Sequence, residues 1–89
     1  MNKALFANHT VTGVLKSRVI RGEKSLIGQV VLSDAMAFLC DVGNQNRCVF
    51  EYVGPAEING KLCNVRVDAS YQFNNDVLTL QSSGAPVML

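Results

Sequence analysis

The chain has 89 residues, a formal net charge of +1, 48% hydrophobic and 17% charged residues. That length holds one domain with no room for a second core, so residues 1–89 are read as a single unit. The apolar share excludes a disordered chain, and the near-zero net charge excludes a strongly basic or acidic protein.

The N-terminus has one cation, Lys3, followed by the short apolar run Ala4-Leu5-Phe6-Ala7. This run is too short for a signal-peptide core and far too short to cross a bilayer. Asn8-His9-Thr10 matches the glycosylation sequon, which has meaning only in a secreted chain. Residues 1–8 are expected to form a peripheral tail. Three cysteines, Cys40, Cys48 and Cys63, cannot all pair within one chain, so the expectation is a cytoplasmic protein with reduced thiols.

Residues 10–20 alternate, with Val11, Gly13, Leu15, Ser17 and Val19 on one face and Thr10, Thr12, Lys16 and Arg18 on the other. This two-residue period predicts a strand. Arg21-Gly22-Glu23-Lys24 is expected to turn the chain. Residues 25–32, with Leu26, Ile27, Val30, Val31 and Leu32, read as a returning strand covered on both faces. Residues 33–42 satisfy two periods. A helix would align Ala35, Phe38, Leu39 and Val42, capped by Ser33 or Asp34 and stopped by a left-handed Gly43. A strand would align Met36, Phe38, Cys40 and Val42, and Gly43-Asn44-Gln45-Asn46 would then be a hairpin loop. The strand is the expectation, with the short helix as its alternative.

Residues 47–53 read as a strand that Gly54-Pro55 is expected to end. Asn59-Gly60 is the strongest hairpin signal, because both central positions of a type I′ turn need positive φ. After it, Cys63, Val65, Val67 and Ala69 face one way and Asn64, Arg66, Asp68 and Ser70 the other. Tyr71 and Phe73 continue the apolar side. Asn74-Asn75-Asp76 turns the chain into a last strand with Leu78 and Leu80 inward. Residues 82–89 read as a second peripheral tail, whose apolar Val87-Met88-Leu89 is expected to dock on the body or on a neighbouring subunit. The fold class is therefore all-β: a small single-domain barrel or sandwich of six to seven short antiparallel strands, with one short helix near 34–42 as the variant.

No catalytic or metal set stands out. Three cysteines and His9 are enough ligands for zinc, but gaps of seven and fourteen residues lack the paired spacing such sites use. His9 is the single base available to a nucleophile, and no nucleophile elbow accompanies any Ser or Cys. The seven acids are spread singly, Asn74-Asn75-Asp76 lacks a calcium loop, and there is no Gly-rich phosphate loop. The expectation is a non-enzyme that uses no cofactor, no metal and no small-molecule substrate, and touches no membrane.

One charge asymmetry remains. Lys16, Arg18, Arg21 and Lys24 against Glu23 give that segment +3, and four cations against six acids leave the rest at −2. With Arg66 and the aromatics Tyr52 and Tyr71, these residues form the candidate binding set. The leading expectation is a small interaction module binding a protein partner or self-associating. The alternative is a barrel that binds single-stranded nucleic acid through the basic 16–24 hairpin.

Overall fold

The computed structural model describes residues 2–89; Met1 lies outside them. The chain runs β1 (Lys3–Phe6), β2 (His9–Gly13), β3 (Leu15–Ile20), β4 (Glu23–Leu32), α1 (Ala35–Val42), β5 (Val49–Ile58), β6 (Lys61–Asn74), β7 (Val77–Ser82) and β8 (Val87–Met88). Six strands close into an antiparallel barrel, in the ring order β1–β2–β4–β7–β6–β5 and back to β1. β3 and β8 are additions to it. The small all-β fold read from the alternation is observed, and of the barrel and the sandwich it allowed, the barrel is the one formed.

Tight turns build most of the ring. Ala7-Asn8, Arg21-Gly22 and Asn59-Gly60 each place two consecutive residues at φ between 51° and 81°, as two-residue hairpins require. The turn at residue 21 is thus shorter than the four residues expected. Arg21 itself accepts the left-handed conformation, so Glu23 and Lys24 already belong to β4.

Residues 33–42 are helical rather than extended. Asp34 caps α1, its side chain accepting from the Ala37 amide at 3.0 Å. The helical stripe has a place to go: Phe38 and Val42 are buried over one end of the barrel, where Phe38 meets Phe6 and Tyr71. The expected strand would have aligned Met36 and Cys40 with Phe38, yet both are exposed. Gly43 closes the helix in a right-handed conformation, φ −64°, not the expected left-handed one.

Three further expectations are corrected. β5 runs straight through Gly54-Pro55 to Ile58. Counting back from the Asn59-Gly60 turn, Pro55 faces Asn64 in a non-hydrogen-bonded pair, so its missing N–H costs the β5–β6 ladder nothing. Gly54 is needed there because β1 crosses closely: a Cβ would stand 2.3 Å from that of Ala4. β4 is covered on one face only, with Leu26, Val30 and Leu32 inside and Val31 outside. The 10–20 segment is two strands, and Val19, expected inward, is exposed because β3 keeps its β5 neighbour only as far as Lys16.

The N-terminal tail is also structural. β1 closes the barrel, and Phe6 lies fully buried among Phe38, Phe50 and Tyr71. At the other end, β8 pairs with β6 through Val65↔Met88 and Arg66↔Val87. No helix among the described residues is long and apolar enough to cross a membrane.

Candidate interaction surfaces

Beyond Lys16, which still pairs with β5, the β3–β4 hairpin leaves the barrel as a two-stranded arm that carries three more of the candidate residues, Arg18, Arg21 and Lys24. Paired residues share a face, so Lys16 and Arg18 lie on the outer face with Ile27 and Ser25. Ser17, Val19, Lys24 and Leu26 lie on the inner face. Arg21 sits at the tip. The cations therefore point three ways. Lys24 is already engaged, its ammonium donating to Asn59 Oδ1, and the Asn59 amide donates to Ser17 Oγ at 3.3 Å. These two contacts tether the arm to the β5–β6 turn.

The other candidate residues stand elsewhere. Arg66 projects from β6 beside β8 and meets Glu51 at 3.6 Å, a half-exposed pair worth little. Tyr52 has no exposed surface at all, and its hydroxyl donates to the Pro55 carbonyl at 2.7 Å. Burial without a nearby positive charge raises its pKa to about 12. Tyr71 belongs to the cluster under α1, with ring centroids 5.5–6.1 Å from Phe38, Phe6 and Phe50. Neither tyrosine lies among the arm's cations.

The cysteines and the histidine do not converge either. Cys40 and Cys48 are exposed, on α1 and just before β5. Cys63 is half-buried, its thiol directed at the Ala56 carbonyl at 3.3 Å. His9 reaches the capping helix instead, with Nε2 2.7 Å from Asp41 Oδ2 and its ring edge-on to Phe38. That hydrogen bond is the main cause holding the Asp41 carboxyl below its ordinary pKa. Among the described residues, no three His, Cys, Asp or Glu side chains cluster as a metal site would.

Two surfaces remain that the candidate residues did not define. The first is β8. Leu89 N donates to Asn64 O, so residues 87 and 89 bond towards β6, and Met88 presents its N–H and C=O outward. This edge has no charged side chain. Val87, Met88 and Leu89 are 57%, 56% and 61% exposed, and Leu62, 66% exposed, lies on the same outer face of β6 as the residues beside Val87 and Leu89. The apolar end was noticed in the sequence; its outward-facing backbone depends on its register with β6.

The second is a groove of about 780 Å³ between the arm and residues 82–86. It exists because the sheet splits. β7 follows β4 as far as Ile27↔Gln81, after which Ser83 N donates to Asp68 O and the chain follows β6. Ser82 spans the fork, its Oγ accepting from Leu26 N at 2.7 Å. Nothing in the composition marks this groove, since it depends on where one strand abandons another. No family model matches the chain, and no curated protein or solved structure matches it.

Proposed function

We propose that the protein is a non-enzymatic interaction module that associates through the β8 edge, a second copy of itself being the favoured partner. The observation that carries this reading is the edge at Met88, with free backbone groups, no charged side chain on β8 and three exposed apolar side chains. Uncharged exposed edges are the ones that recruit another strand. The β3–β4 hairpin, by contrast, is guarded by four cations, which oppose pairing between copies.

Antiparallel pairing about a two-fold axis is self-complementary. With Met88 facing Met88 of a second copy, each chain gives one N–H and takes one. The same contact sets Val87 of each copy beside Leu89 of the other and shields both from water. So short an edge supports a weak dimer that forms with rising concentration, because association must first offset lost translational and rotational freedom.

The nucleic-acid reading has less support. Lys16 and Arg18 do share an exposed face, but Tyr52 is buried and Tyr71 packs under the helix, so no ring stands beside them to stack bases.

Sedimentation velocity over a concentration series tests the proposal. The wild-type chain is expected to shift towards dimer, and Met88→Pro, which removes the free amide, or Val87→Lys, which charges the edge, to stay monomeric. A monomer at every concentration, or a dimer indifferent to both substitutions, overturns it.

A further inference from the structure

We infer that Met88 is an oxidation site that regulates association at the β8 edge: a peroxide converts its thioether to the sulfoxide, and the oxidised chain pairs more weakly. The inference rests on the proposed pairing through β8. Exposure supplies the first reason. The Met88 side chain is 56% exposed in the single chain, so a dissolved peroxide reaches its sulfur. It is the one oxidisable side chain of the edge, because Val87 and Leu89 are plain hydrocarbons.

Register supplies the second. Met88 pairs with Val65 and Val87 with Arg66, so the Met88 side chain lies on the opposite face of β8 from Val87 and Leu89. When two copies pair with Met88 facing Met88, that face holds the two thioethers side by side. The two-fold axis of an antiparallel pair runs perpendicular to the sheet, the direction in which both side chains project. Two apolar, flexible thioethers pack readily there.

Oxidation changes what meets at that axis. The sulfur takes the outer oxygen of the hydroperoxide: an S–O bond forms, the O–O bond breaks, sulfur gives up two electrons, and the peroxide leaves as its alcohol. Each side chain now carries a polar oxygen that accepts hydrogen bonds. In the single chain water satisfies it. In the pair, the two oxygens are crowded together on a strand whose side chains offer no donor. Symmetry also gives the two S–O dipoles the same component along the axis, and parallel dipoles standing side by side repel. Sulfoxide therefore disfavours the pair and leaves the single chain untouched. Met36 supplies a comparison within the same molecule. It is 75% exposed on α1 and reacts as readily, but it has no part in the β8 edge.

The test treats the full chain with tert-butyl hydroperoxide, then with dithiothreitol to return oxidised thiols. Peptide mass spectrometry counts the added oxygens, and sedimentation velocity gives the dimer constant before and after. Oxidation of Met88 should weaken the dimer at least about tenfold, the effect of stripping water from unpaired polar groups at an interface. A methionine sulfoxide reductase should restore it. Met88→Leu should dimerise like the wild type and ignore the peroxide, whereas Met36→Leu should stay as sensitive as the wild type. An oxidised Met88 with an unchanged dimer constant, a Met88 that resists the peroxide while Met36 reacts, or a treated Met88→Leu that loses its dimer would each overturn this inference and leave the pairing standing. An untreated wild type that stays monomeric at every concentration overturns the β8 reading itself, and the inference with it.

Discussion

Replacing Tyr52 with phenylalanine should produce a stability difference that changes sign with pH. The tyrosine is fully buried and its hydroxyl donates to the Pro55 carbonyl. Near pH 8 the substitution should cost about 1–1.5 kcal/mol, the usual net worth of one such hydrogen bond. Ionisation sets the opposite trend. In the unfolded chain the phenol titrates at 10.0, and in the folded protein at about 12. The folded state thus holds the proton more tightly. The stability this represents is fully present below pH 10 and is lost as pH rises through 12. Two pH units correspond to about 3 kcal/mol, about half of which is gone by pH 11. Wild type and Tyr52→Phe should therefore be equally stable near pH 11, and the variant should be the more stable above it. Every other group is common to both proteins, so its contribution cancels in the difference. Urea unfolding under reducing conditions reads it, because about 1 kcal/mol moves the midpoint by roughly 1 M at this chain length. A difference that stays constant from pH 8 to 11 would refute the account of Tyr52.

Three other substitutions probe separate parts of the fold. Gly54→Ala forces a methyl to within 2.3 Å of the Ala4 Cβ and 3.0 Å of its Cα. It should cost about 2–3 kcal/mol, and Ala4→Gly in the same chain should recover part of the lost melting temperature. Asp34→Ala removes the cap of α1 and should cost about 1 kcal/mol in thermal unfolding, with the helix end the first region to lose amide protection. Asp41 has its folded pKa lowered below 3.8, first by the His9 hydrogen bond and also by Gln45 and the His9 charge. Its contribution is present above the unfolded value and lost as pH falls through the lower folded one, so wild type should lose stability on acidification that Asp41→Asn does not.

What could be read from the sequence was what short-range rules decide. Asn59-Gly60 announced its hairpin because few residue pairs accept positive φ twice running, and the alternation from Cys63 to Ser70 announced β6. The 33–42 segment satisfied both periods, and the choice went to the helix through the Asp34 cap and the space under Phe38, where Phe6 and Tyr71 from distant strands meet. Gly54-Pro55 looked like a break because the close crossing of Ala4, fifty residues away in the chain, is invisible locally. The same limit applies to function. Outward placement of Lys16 and Arg18 followed from alternation. The engagement of Lys24 by Asn59, the separation of Arg66 from the arm and the burial of Tyr52 followed only from the closed barrel.

The opening of the sheet at Ser82 and the edge at Met88 share one origin: the last strand leaves β4 and continues along β6. Hydrogen exchange at the Met88 amide, followed as protein concentration is raised, tests the proposed association most directly. Pairing through β8 predicts that this amide, unbonded in the single chain, becomes progressively protected, with Val87→Lys abolishing the effect. Exchange at Met88 that is the same at every concentration, while the protein associates through another segment, would contradict it.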